Sequence, residues 1–202
     1  MKNFAEEIAY LYFRLNGFFL LDNYVSHKSE NNDRGHADND LIGIRTKHVT
    51  EIVGLKEIED TDEIIRDFMK GSKMLGLICE IKGGENRISS LSDSKLKSCI
   101  KRLGLLDSEE EQKAISVLKK KEIFSNEEIT IIKIFASTAR NQSNLDGWYK
   151  IELDHMISFL KDRIQRYPEK QKGWNHNSSS MLQYLLYEQR TNPAKKAKPK
   201  SK

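Results

Sequence analysis

The sequence has little sulfur, few prolines and no long apolar stretch. Its two cysteines, Cys79 and Cys99, stand in 202 residues and form no CxxC pair, which excludes a disulfide framework and a cysteine zinc centre and leads us to expect a reducing, cytoplasmic setting. No run approaches the roughly 18 apolar residues of a spanning helix. The best N-terminal stretch is broken by Glu6, Glu7, Arg14 and Asn16, so neither a secretory leader nor a membrane segment is expected. Histidine is sparse as well: His27, His36, His48, His155 and His176 lie scattered, without ligand spacing, and a surface or hydrogen-bonded role suits each of them better than metal binding. His27 is the one to follow, because it ends the first expected strand. The Gly83-Gly84 pair lacks the Lys-Ser or Lys-Thr that would make it a phosphate loop.

What charge there is of one sign sits at the C-terminus. The formal net charge is +4, but Lys195, Lys196, Lys198, Lys200 and Lys202 account for +5 with no acid among them, which leaves residues 1–190 at −1. The body is therefore not globally basic, and any phosphate binding by it must come from a local patch. Residues 191–202, with two of the three prolines, read as a disordered lysine-rich arm that either solubilises the chain or contacts nucleic acid. With 38% hydrophobic and 32% charged residues, the remainder is the length of one folded domain with appendages.

Phe4, Ile8, Leu11 and Leu15 recur at helical spacing, and Asn16-Gly17 ends that helix. An aromatic, β-branched run over 18–25 predicts a strand that Asp22-Asn23 could bulge, followed by a polar loop over 29–39. Short apolar strands are expected at 41–44 and 75–81, separated by an insertion over about 46–73 with a helix at its centre (60–70). Helices are predicted over 94–103 and 108–120, a buried strand over 129–136, and final helices over 151–167 and 179–189. No internal repeat is found, and the alternation predicts an α/β architecture with helices around a mixed sheet.

Chemistry concentrates in two of these strands. Asp40 opens one, and Glu80-Ile81-Lys82 closes the other. In an extended chain Glu80 and Lys82 project from one face while Cys79 and Ile81 project from the opposite one. Acid-any-lysine occurs three times in the chain, but only this instance lies in an apolar strand, where burying unpartnered charge is costly. If the strands are neighbours, Asp40 and Glu80 can converge on a hard cation such as Mg²⁺, which accepts one or two carboxylates and keeps waters. Lys82 would then stand where it can orient attack on a phosphodiester and offset charge in the transition state. The plain alternative is an edge strand whose charged face meets solvent.

The order Asp40-Leu-Ile-Gly-Ile, then Ile78-Cys-Glu80-Ile-Lys82-Gly-Gly, preceded by Tyr12-Phe-Arg-Leu-Asn-Gly17-Phe-Phe, resembles the PD-(D/E)XK nuclease superfamily over residues 4–103 and toward 137. The resemblance implies a restriction-endonuclease-like fold, with Asp40, Glu80 and the Ile81 carbonyl as ligands of Mg²⁺ or its substitute Mn²⁺. It makes Lys82 the catalytic lysine, Asp38 an assisting acid, and Glu6 or Glu7 a further acid from the first helix. The motif's proline is absent, and forty residues separate Asp40 from Glu80.

Lys95, Lys97, Lys101 and Arg102 follow on the next helix, where they could hold a nucleic-acid backbone or form a solvated face. The segment from Ser137 through Arg140 to Gln142 offers donors suited to phosphate, or a simple turn. Trp148 and Trp174 read as packing residues. Two functions of different class follow. One is a metal-dependent nuclease acting on DNA in a defence, restriction or repair setting. The other is a non-catalytic subunit of the same fold, assembled as a homo-oligomer or with a partner such as a motor or defence protein.

Overall fold

A computed structural model describes residues 3–26, 37–53, 55–83, 92–138, 147–167 and 179–191. Helix α1 (Phe4–Leu15) begins with a capping box, in which Asn3 Oδ1 accepts the Glu6 amide while the Glu6 carboxylate accepts the Asn3 amide. It ends at Asn16 and Gly17, whose φ of 83° is left-handed; a Cβ there would also lie 2.4 Å from Val49 Cγ1, so glycine is required twice over. Phe4 is 58% exposed, whereas Ala5, Ile8, Ala9, Leu11, Tyr12 and Phe13 are buried. Of the expected Phe4, Ile8, Leu11, Leu15 line, Ile8 and Leu11 are buried and Leu15 packs against the same core; only Phe4, in the first turn, faces outward, and Ala5, Ala9, Tyr12 and Phe13 widen the stripe.

Strands β1 (Phe19–Ser26) and β2 (Ala37–Thr46) pair antiparallel, so β2 starts three residues inside the expected loop. Asn23 adopts φ 50°, the kink that Asp22-Asn23 suggested. A hairpin of β3 (Glu51–Val53) and β4 (Lys56–Ile58) and the short helix α2 (Glu63–Phe68) fill the span before β5 (Met74–Lys82). Then follow α3 (Asp93–Leu103), α4 (Ser108–Leu118), β6 (Ile123–Ser125), β7 (Ile129–Ser137), β8 (Tyr149–Glu152), α5 (Leu153–Arg166) and α6 (Ser180–Thr191). The expected helix over 151–167 is therefore split, its first residues completing β8.

The sheet is mixed, in the order β1-β2-β5-β7-β6, with β8 sharing the outer edge of β7 with β6. β2 runs antiparallel to β5, and β5 parallel to β7. Helices cover both faces. Leu75, Leu77, Cys79 and Ile81 of β5 face a core shared with α1, α5 and α6; Ile78 faces a second core with Leu96, Cys99 and Ile100 of α3 and Leu118 of α4. This is why β5 and β7 read as continuous apolar runs rather than alternating ones. A Cβ on Gly76 would stand 3.0 Å from Leu105 Cδ1 and 3.2 Å from Leu103 Cδ1, so this glycine lets the α3 to α4 turn settle on the sheet. Among the described residues no helix is long and apolar enough to cross a membrane.

Candidate active site

The site forms where β2 and β5 meet. Their ladder is in register at Leu41 and Cys79, and continuing that register sets Asp40 opposite Glu80. Here the Asp40 side chain replaces a ladder bond: its Oδ2 accepts the Ile81 amide at 2.6 Å. Lys82 Nζ lies 3.9 Å from Asp40 Oδ2 and 3.7 Å from Glu80 Oε2. The three residues singled out by their strand context are thus brought together.

A second ammonium joins them. Lys95, in the first turn of α3, turns inward and hydrogen-bonds Glu80 Oε1. The Ser92 cap fixes this turn by accepting the Lys95 amide. The side chains of Glu80, Lys95 and Asp40 are only 12%, 15% and 16% exposed, against 34% for Lys82, so Lys82 is the most solvent-accessible of the four. Burial raises the Glu80 pKa above the usual carboxylate range, the Lys95 hydrogen bond and charge oppose this, and Asp40 adds to the rise. Burial likewise pushes the Cys99 thiol up to about 12, which removes it as a nucleophile near neutral pH.

Two buried polar groups border the cluster. Ser137 pairs in register with Lys82 across β5 and β7; it is fully buried, and among the described residues its hydroxyl has no hydrogen-bond partner. Asn39, next to Asp40, is equally buried. Its carboxamide approaches the Cys99 thiol closely enough to favour the thiolate, without the geometry of a full hydrogen bond. Unpaired buried groups of this kind are uncommon and call for an explanation. The sequence pattern places Asn39 in a loop, and only its position in the Asp38-Asn39-Asp40 series hints at the site; Ser137 is visible there as the first of a run of donors.

The helix acids do not join. Glu6 is occupied by the α1 capping box. Glu7 instead holds the start of α6, accepting from Ser179 Oγ at 2.7 Å, Ser180 Oγ at 3.3 Å and the Met181 amide at 3.2 Å. Among the described residues no third Asp, Glu, His or Cys completes a metal-ligating group with Asp40 and Glu80. The Asp38 side chain, His27, Arg140 and Trp174 lie outside the described residues.

Three of the four α3 cations have partners among the described residues, whereas Lys97 is exposed. Lys95 serves Glu80 rather than standing on an open face. Lys101 Nζ sits 3.9 Å from Glu111 Oε2. The Arg102 guanidinium lies 5.9 Å from the centroid of the Tyr24 ring, whose hydroxyl is 3.1 Å from Ser98 Oγ. Trp148 is buried, with Lys133 Nζ 5.1 Å from its ring centroid, as a packing residue would be.

The donor set fits a hard divalent cation. Asp40 Oδ1 accepts no hydrogen bond from the described residues, and Glu80 Oε2 faces the Lys82 ammonium at 3.7 Å. Two carboxylate oxygens are what Mg²⁺ asks of a protein when water and phosphate supply the rest. The condition is that Lys95, paired to the other Glu80 oxygen, gives way to or tolerates the added charge. No family model, curated protein or solved structure matches the chain.

Proposed function

We propose that the protein is a metal-dependent nuclease of restriction-endonuclease-like fold that hydrolyses phosphodiester bonds in DNA. The observation that carries the reading is the convergence of Asp40, Glu80 and Lys82, from two neighbouring strands, within ion-pair distance at one partly buried end of the sheet. The mixed sheet, with a helix before it and helices on both faces, agrees with that fold.

Asp40 and Glu80 would hold the cation, which supplies Lewis acidity toward a phosphoryl oxygen. The Ile81 amide fixes the Asp40 carboxylate in place, so little reorganisation is needed on binding. Lys82, the most accessible cation of the cluster, would orient the attacking water and offset charge on the phosphorane-like transition state. Ser137 and Asn39 supply buried donors that a phosphate oxygen or its water could satisfy.

The test is cleavage of plasmid, linear and single-stranded DNA with Mg²⁺ or Mn²⁺ by the wild type, by Asp40→Ala, Glu80→Ala and Lys82→Ala, and by the triple variant. Each single variant is expected to lose cleavage about as completely as the triple, since groups acting as one unit are not additive. Full activity in Lys82→Ala would reject the assignment.

A second reading rests on Lys95. By neutralising Glu80 it gives a cluster of two acids and two ammonium groups that is complete without metal, as suits a non-catalytic subunit that binds nucleic acid or a motor or defence partner. A wild type that binds DNA but never cuts it, with Mn²⁺ present, would favour that reading.

A further inference from the structure

The far end of β2 carries a different electrostatic problem. Arg45 is five residues beyond Asp40, about 17 Å along an extended strand, and the odd offset turns its side chain to the opposite face. It is 1% exposed. Its Nε donates to the Asn16 carbonyl at 2.7 Å, one terminal nitrogen to the Thr46 carbonyl at 3.1 Å, and the other to Thr61 Oγ1 at 2.8 Å. These bonds use three of the five N–H donors of a guanidinium. Among the described residues no carboxylate forms an ion pair with it; Glu59 acts on it only as a more distant charge, and burial lowers its pKa. A buried cation without a counter-ion is costly and is normally paired.

Arg45 opens onto a cleft of about 280 Å³ whose other charged walls are Lys47, Arg66, Lys70 and Glu59. Four permanent cations therefore meet one acid. Lys70 is partly balanced by Asp67 at 2.8 Å, and Arg66 bonds the Thr61 carbonyl at 2.8 Å, which points it across the same wall as Arg45. The excess positive charge is local, since residues 1–190 sum to −1. It also lies apart from Asp40 and Glu80, toward the other end of β2 and on the other face of the sheet.

We propose that this cleft binds the phosphoryl group of a small phosphorylated molecule, with the buried Arg45 guanidinium as its anchor and Lys47, Arg66 and Lys70 as its rim. The volume is at the lower limit for ligand pockets, which start near 300 Å³, and holds a phosphate or pyrophosphate group with at most a small organic body. Arg is the residue suited to a fork of two donors on phosphate oxygens, while the lysines act as point charges. The inference does not depend on the nuclease reading.

The experiment is calorimetric titration of the full chain in EDTA and low salt with inorganic phosphate, pyrophosphate and adenosine monophosphate, and separately with a short DNA duplex. Saturable binding of pyrophosphate or the monophosphate is expected, weakened at least tenfold in Lys47→Glu/Lys70→Glu and unaltered in Asp40→Ala. Arg45→Lys, which keeps the charge and loses the fork, is expected to weaken it as well; where that variant fails to fold, the double rim variant, altered only at exposed residues, carries the test. No saturable binding, equal binding by the rim variant, or loss of binding in Asp40→Ala would each overturn the proposal. Binding of the duplex alone, abolished by the rim substitutions, would overturn it in favour of a site for backbone phosphates.

Discussion

Replacing Lys95 by methionine separates the two readings of the candidate site. Methionine keeps most of the side-chain length and removes the charge that hydrogen-bonds Glu80 Oε1. A unit charge pair near 4 Å at an effective dielectric of 20 is worth about 4 kcal/mol before desolvation. Desolvation and the remaining Lys82 ammonium, 3.7 Å from the other Glu80 oxygen, offset much of this. A divalent cation held by Asp40 and Glu80, as proposed, would compete with Lys95 for the same carboxylate, so removing the Lys95 charge is expected to tighten Mn²⁺ binding by roughly 1.5–3 kcal/mol, about 10- to 150-fold. In EDTA the same variant loses about 2 kcal/mol of stability, below the 3–5 kcal/mol of a fully buried broken pair because Lys82 remains. The assay pairs Mn²⁺ titration by calorimetry or electron paramagnetic resonance with denaturant unfolding, with and without metal. Lys95→Arg, which preserves the charge, is expected to bind Mn²⁺ about as the wild type does. Mn²⁺ affinity that is unchanged or weaker in Lys95→Met would refute the competition, and absence of Mn²⁺ binding in every variant would refute the metal site itself.

Three further outcomes are expected. Glu7→Ala removes the three hydrogen bonds that tether α6 and is expected to cost about 1–3 kcal/mol, with amide exchange rising first in α6 and Mn²⁺ affinity untouched; a loss of Mn²⁺ binding would return Glu7 to the site. Lys133 is 4% exposed, and burial, opposed by Glu122, lowers its pKa to about 8. The unfolded chain binds the extra proton between about pH 8 and its ordinary value, so stability rises with pH across that window and the cost of burying the charge is full below it. Lys133→Met is therefore expected to be stabilised by about 1–3 kcal/mol at pH 7, the gain shrinking by pH 10; equal gains in denaturant unfolding at both values would contradict this. Removing residues 191–202, which carry five lysines, is expected to reduce the salt slope of DNA binding by about 0.9 for each phosphate that the arm neutralises; a slope identical to the full chain's would make the arm a solubilising tail.

Local chemistry is legible in the chain itself. Helix α1 stops at Asn16-Gly17 as its sequence predicts, because a helix stop is settled within a few residues. β5 and β7 are visible as long apolar runs, and the projection of Glu80 and Lys82 to one side follows from the pleat alone. β3, β4, β6 and β8 are not visible, since three or four residues carry no measurable period. β8 runs directly into α5, so its residues look like a first helical turn.

Partnership across the chain is decided only by the tertiary structure. Nothing in the spacing of Asp40 and Glu80 states that their strands pair in register. Nor does any pattern distinguish Lys95, turned inward to a buried carboxylate, from its neighbours Lys101, paired to α4, and Arg102, stacked on Tyr24. In the sequence all three read alike, as a face that holds a nucleic-acid backbone or is simply solvated. The difference lies in which surface each side chain meets once α3 packs on the sheet. Helix and strand periods prescribe the direction in which a residue points from its own axis, whereas the dielectric, the counter-charge and the hydrogen-bond partner waiting there belong to another part of the chain.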